Sequence, residues 1–238
     1  MPALRQEETV QSLIREYWGR RALLVVLTRR TLIARYRGTS LGFLWTFLHP
    51  LMLFAVYAVV FGVIVRVEVP NYSAFLLAGL LPWTWFAQGL AVATTSVLGD
   101  APWIQQASFS PAIPPLVSNL AGLVNFLFGL VVLFGLLALL GVTPTVWYLA
   151  LPLVIGLQFL FLSGLSLATA SLSVRYRDSV NLVQSLLPMW FFVTPVVYPA
   201  SMVPEHYRWI LDLNPMTHLI GAYQAILFEG RAPGPLGL

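Results

Sequence analysis

The sequence predicts an all-α protein that crosses a lipid bilayer several times. Three observations predict it. Of 238 residues, 58% are hydrophobic and only 9% are charged, where a soluble domain holds about 25% charge. Apolar runs long enough to span recur along most of the chain. The arginines cluster ahead of the first run. A soluble chain so poor in charge would expose large apolar patches and aggregate, whereas lipid solvates them. A single membrane domain over residues 1–238 is therefore expected.

Residues 1–42 form a cytoplasmic or interfacial segment. They are not a cleavable signal, because Arg15, Arg20, Arg21, Arg29, Arg30, Arg35 and Arg37 interrupt every apolar stretch. Short apolar runs between arginine pairs predict an interfacial helix. Arg20, Arg21, Arg29 and Arg30 would meet lipid headgroups and the apolar groups would face acyl chains. An ordinary surface helix is the plainer alternative.

Five spans follow within residues 43–200, at 43–65, 73–98, 116–140, 146–174 and 181–200. The second contains Pro82. The fifth contains Thr194-Pro195, which removes a backbone donor and is expected to kink it. Residues 201–238 read as an outer loop. Its apolar stretch 218–228 is about half a span long, so it is expected to be re-entrant or interfacial.

The arginines orient the chain. With the N-terminus inside, the inner segments hold ten of the 13 cations and the outer ones only Arg66, Arg208 and Arg231. That asymmetry follows the positive-inside rule. The same clustering argues that the net charge of +4 serves a membrane flank rather than nucleic acid.

Several chemistries are excluded. There is no cysteine, hence no disulfide or thiolate metal site, and no lysine. A Walker A loop requires lysine to reach the nucleotide phosphates, so the chain cannot hydrolyse ATP by that route. The spans lack paired carboxylates and His/Asp clusters with metal spacing, so no catalytic or metal site is expected. His49, two turns into the first span, fits a headgroup-level histidine better than a catalytic one.

The polar residues of the spans are mild: Asn119, Asn125, Gln158, Ser163, Gln184 and Thr194. Helix packing is their simpler role, and a weakly polar path for a hydroxyl-rich substrate is the functional one. Gly164/Ala168 and Ser166/Ala170 have the small-xxx-small spacing that permits close helix approach. Aromatic residues reach 13%. Some belong to interfacial belts, but Trp83, Trp85, Trp190 and Tyr198 are candidate linings of a substrate path.

Several segments together carry a resemblance. Arg35-Tyr36-Arg37-Gly38-Thr39-Ser40-Leu41-Gly42-Phe43-Leu44-Trp45, Pro50 and Val60-Phe61-Gly62 resemble the first membrane segment of type-2 ABC exporter permeases. Leu81-Pro82-Trp83 with Phe86 resembles their second, and Arg177-Asp178 an inner loop. Thr194-Pro195-Val196-Val197-Tyr198-Pro199, then Pro204 and Leu213-Asn214-Pro215-Met216, resembles the branch exporting O-antigen, capsule and teichoic acid. The resemblance implies a homodimer paired with separate ABC ATPase subunits in a bacterial cytoplasmic membrane. It implies a lipid-linked glycan as substrate, and ATP and magnesium on the partner rather than any cofactor on this chain. It implies ATPase contact through Gln105, Gln106, Phe109, Arg177 and Asp178. The first of these loops departs from the family by lacking basic residues. The family also has a sixth span, so a C-terminally truncated chain is expected. Export of a small drug or lipid, or a membrane-embedded glycan-modifying enzyme, are the rival readings.

Overall fold

A computed structural model describes residues 21–36, 41–66, 69–99, 110–139 and 141–234. Arg20, Gln105, Gln106 and Phe109 lie outside them. Among the described residues every regular element is helical. The elements are α1 (Arg21–Tyr36), α2 (Trp45–Tyr57), α3 (Tyr72–Gly99), α4 (Ile113–Leu139), α5 (Leu151–Arg175), α6 (Asp178–Val193), the short α7 (Arg208–Leu213) and α8 (Pro215–Gln224). The backbone of α2 continues as a π-helix through Ala58–Ile64, and that of α8 through Ala225–Glu229.

Three segments are each long and apolar enough to cross a membrane: Tyr72–Gly99, Ile113–Leu139 and Val146–Arg175. They match the second, third and fourth expected spans. The chain is a multi-pass α-helical membrane protein. Its hub is α3, which packs on α2, α4, α5, α6 and α8. Residues 74–86 of α3 are buried without interruption. A helix apolar on all sides is one enclosed by neighbours, and the composition of α3 fits that place. The outer surfaces of α4 and α5 expose Val131, Leu153 and Leu160, each about two-thirds accessible, as lipid-facing helices do.

Several polar residues of the spans join helices, though Asn125 Oδ1 and Ser163 Oγ have no partner among the described residues and Gln184 lines a cleft. Asn119 of α4 donates to Ser166 of α5 at 3.1 Å, and both are fully buried. Thr94 of α3 bonds Thr169 of α5 at 3.0 Å, and Ser173 donates to the Thr94 carbonyl at 2.7 Å. Gln158 donates to the Pro82 carbonyl at 2.8 Å, tying the proline turn of α3 to α5. These bonds fit the packing role better than a polar path, because they close onto one another inside the bundle. Ser166 and Ala170 are buried, whereas a side chain at Gly164 would meet open space. Of the two pairs, Ser166/Ala170 lies inside the bundle and Gly164/Ala168 faces outward.

The fifth span differs from expectation. Helix α6 begins at Asp178 and stops at Val193, seven residues before the predicted end. The Thr194-Pro195 step ends the helix instead of kinking it. A residue before proline is pushed out of the α region, and Thr194 sits at φ −97, ψ 132. Its hydroxyl donates to the Trp190 carbonyl at 2.9 Å, which also accepts the Thr194 amide at 3.0 Å. The proline inside the helix is Pro188.

The expected half-span is a buried helix. Met216, Ile220, Tyr223, Ile226 and Leu227 of α8 and its extension are inaccessible. Its start bonds the end of α6, while Phe228 packs on Phe75 at the start of α3 and Tyr148 bonds the Leu227 carbonyl. The segment therefore runs alongside α3 in the opposite direction, from the level of Trp190 and Phe86 to the start of α3 at Phe75.

Candidate functional site

A cleft of about 360 Å3 opens between α2, α3 and α6. Tyr57, Leu80, Trp83, Leu187, Phe191 and Phe192 give it an apolar aromatic wall, and Gln88 and Gln184 supply its amides. The wall is built by helix register. Trp83 and Phe86 lie one turn apart on α3, and Trp190 and Phe191 reach them from α6. Trp83 meets Trp190 edge-on at 6.5 Å and Phe191 at 5.5 Å, and Phe86 meets Trp190 edge-on at 5.1 Å. Edge-to-face packing suits the ring quadrupoles.

The four aromatic candidates do not form one lining. Trp83 lines the cleft and Trp190 stands behind it, touching Trp83. Trp85, two residues along the helix from Trp83, points toward α4. It stacks on Phe126 at 4.7 Å and crosses Gly122, where an added Cβ would come within 3.1 Å of the indole. Tyr198 lies beyond the end of α6 and donates to the Phe192 carbonyl at 2.8 Å. Trp83 and Trp190 thus meet between α3 and α6, Tyr198 lies past the end of α6, and Trp85 belongs to the α3–α4 interface.

Sequence reasoning missed the residue that organises the junction of α6 and α8 behind this cleft. Asn214 is buried, and its Oδ1 accepts from Trp190 Nε1 at 2.8 Å and from the Met216 amide at 3.0 Å. Its Nδ2 donates to Thr194 Oγ1 at 2.9 Å. One amide therefore caps α8, closes α6 and fixes the cleft tryptophan. An asparagine directly before proline is the signature of an N-cap with proline at the first helical position, and that signal was available at Leu213-Asn214-Pro215. Gln224 and Tyr72 anchor the intervening strand of chain by donating to the carbonyls of Pro195 at 3.3 Å and Val197 at 2.7 Å.

Arg177 and Asp178 sit at the opposite end of the bundle, exposed, in the turn between α5 and α6. Asp178 opens α6, where a negative charge suits the helix dipole. Arg21, Arg29 and Arg30 are exposed on α1, which packs on α4. Val25, Val26 and Ile33 are also exposed there, at 57–68%. Apolar and cationic groups thus share the unpacked surface of α1. In α3, α4 and the bodies of α5 and α6 no charged side chain occurs.

Residues 22–228 match the membrane-domain model described as ABC-2 type transporter. The chain is 38% identical over 224 residues to the O-antigen export system permease protein RfbA of Myxococcus xanthus, covering 93% of this chain and 86% of that protein. It is 32% identical over 209 residues to the O-antigen export system permease protein RfbA of Klebsiella pneumoniae, covering 87% and 81%. It is 23% identical over 209 residues to the polysialic acid transport protein KpsM of Escherichia coli, covering 84% and 79%. A matched family model over nearly the whole chain, with the helical bundle described above, identifies this chain as a member of the ABC-2 type transporter membrane family.

Proposed function

We propose that this chain is the permease subunit of an ATP-driven exporter, moving a lipid-linked polysaccharide or teichoic-acid-like polymer across the bacterial cytoplasmic membrane. The observation that carries this is the likeness, over 93% of the chain, to a protein named for O-antigen export. A second copy completes the pathway. Met52, Val56, Val59 and Val63 on α2 and its extension, with Leu182, Leu186 and Met189 on α6, leave exposed apolar flanks beside the cleft. Energy comes from a separate ATPase subunit with its own ATP and magnesium, because a chain without lysine cannot build a Walker A loop. Arg177, Asp178 and the loop holding Gln105, Gln106 and Phe109 are its docking contacts. The N-terminus is inside, as the arginine asymmetry favours.

Within the protomer, Trp83 and Tyr198 face the polymer and Trp190 backs them. Stacking on aromatic faces is less directional than hydrogen bonding, so a sugar chain can slide without meeting deep fixed sites. The test is a deletion strain of the source bacterium complemented with single variants. A lipid-linked glycan should accumulate inside the deletion strain, and the wild-type gene should restore it to the surface. Trp83→Ala should restore it poorly at normal membrane abundance, while Phe134→Ala, on α4 against Tyr148, should restore it fully. Normal surface glycan in the deletion strain would refute the assignment.

A further inference from the structure

Two ionisable side chains, Asp212 and His218, stand on the surface of the bundle at membrane depth. The junction of α7 and α8 sets that depth. Asn214, between the two helices, accepts from Trp190 Nε1 at 2.8 Å, and Trp190 meets Phe86 at 5.1 Å. Phe86 lies about 21 Å along α3 from Tyr72, at about 1.5 Å per residue. Ile220, further along α8, faces Gly79, where an added Cβ would come within 3.4 Å of it. Gly79 is about 10 Å from Tyr72 on the same scale. Asp212 and His218 fall between these two levels. His218 Nε2 donates to the Asp212 carbonyl at 2.9 Å, tying the end of α7 to the first turn of α8. Both side chains are exposed, as is Leu213 at 74%. Among the described residues Asp212 forms no ion pair.

Tyr72 opens a membrane-spanning segment, and the hydrocarbon core is about 30 Å thick, so its midplane lies between those two levels. Other surfaces at this depth are apolar. Leu157 and Leu160 of α5 are exposed there, next to Phe161, whose ring stacks on Phe86. Such a face suits acyl chains. An aspartate does not, because its short side chain cannot lift the carboxylate to the headgroups. Ionisable groups at this depth face a protein interior or a water-filled cavity, and their exposure excludes the interior of this bundle. Helix α6 supports the same conclusion. Its 16 residues extend about 24 Å, short of a full span. The chain leaves the helix at Thr194 within the membrane, and irregular backbone there is tolerated only inside protein or beside water. Below Asn214 the exposed residues of α6 are again apolar, at Leu182, Leu186 and Met189, so the water enters from the other side. We propose that a water-filled vestibule descends from the Asn71 end of the bundle along α7 to the Asn214 junction, with Asp212 and His218 as its solvated wall. The hydrophobic barrier is then confined to the length of α6. The vestibule follows from the membrane-spanning fold alone and does not depend on export.

The chain has no cysteine, so single introduced thiols report contact with water. Leu213→Cys keeps both ionisable groups in place, and His218→Cys repeats the measurement one turn along α8. Asn71→Cys is the exposed reference, and Leu160→Cys is the lipid-facing control at matching depth. Cells carrying each variant are treated with a membrane-impermeant cationic methanethiosulfonate on the side where Asn71→Cys reacts. Remaining thiol is counted with N-ethylmaleimide after denaturation, which reveals any variant missing from the membrane. Leu213→Cys and His218→Cys should react within about tenfold of the Asn71→Cys rate, and Leu160→Cys about a hundredfold more slowly, because hydrocarbon suppresses the reactive thiolate. Reaction of Leu213→Cys and His218→Cys with membrane-soluble N-ethylmaleimide alone would place α7 against lipid. Protection from both reagents until denaturation would place it against protein, such as a second copy. Either result overturns the vestibule. Asp212→Asn should leave the melting temperature in lipid nanodiscs unchanged, because water already solvates the carboxylate. A clear rise in that temperature would mean a desolvated charge and would also overturn it.

Discussion

Asn214 illustrates how one side chain can hold two helices and a loop. Replacing it with alanine removes the N-cap of α8 and strands the Trp190 N–H in an enclosed place. An N-cap contributes about 1 kcal/mol and a stranded buried donor costs about 1–3 kcal/mol. Asn214→Ala should therefore lower stability by roughly 2–4 kcal/mol, measured by denaturation in detergent. Trp190→Phe should cost less, because phenylalanine keeps most of the edge contacts with Trp83 and Phe86. The double variant should be less destabilised than the sum of the two singles, since each removes the same 2.8 Å bond. Full additivity would mean that this bond contributes nothing. Gln158 offers a contrast at the same scale. It donates to the Pro82 carbonyl, yet its Oε1 has no partner among the described residues, so only half of its amide is used.

At the scale of elements, proline placement decides where helices stop. Pro82 and Pro188 lie inside α3 and α6, while Pro195 follows the end of α6 and Pro215 opens α8. The sequence alone does not separate these cases. Proline always lacks a donor, but whether the helix resumes depends on what receives the freed carbonyls. After Thr194 the chain finds other partners, the Tyr72 and Gln224 side chains, and leaves the helix. That is why the predicted fifth span was too long at its end, while the three longest apolar helices were legible from composition and length. The buried α8 was legible only as a short apolar segment, because its depth depends on partners supplied by α3 and α5. The α1 helix carries a prediction of its own. If its exposed arginines meet anionic headgroups, changing Arg21, Arg29 and Arg30 to glutamine should weaken vesicle binding of the isolated segment. The loss should be roughly 1 kcal/mol per residue and should shrink in high salt. Binding that ignores both charge and salt would assign this surface to protein contact instead.

At the scale of the whole molecule, charge placement and helix direction give one topology. The turn at Arg177-Asp178 and the turn at Asn71 lie at opposite ends of the bundle, because α3 starts at the latter end and α5 finishes at the former. The arginine asymmetry predicts the first inside the cell and the second outside. The cysteine-free sequence makes this directly measurable. Asp178 and Asn71 are exposed, whereas the adjacent Ser179 is buried and would label poorly on either side. Single Asp178→Cys and Asn71→Cys variants in intact cells should therefore differ: an impermeant thiol reagent should modify position 71 readily and position 178 only after the membrane is opened. The reverse pattern would invert the molecule. It would place Arg177 and Asp178 outside the cell, where they could not meet a cytoplasmic ATPase. The export reading would then lose its energy-coupling face, so this labelling tests the orientation on which that reading depends, independently of any glycan assay.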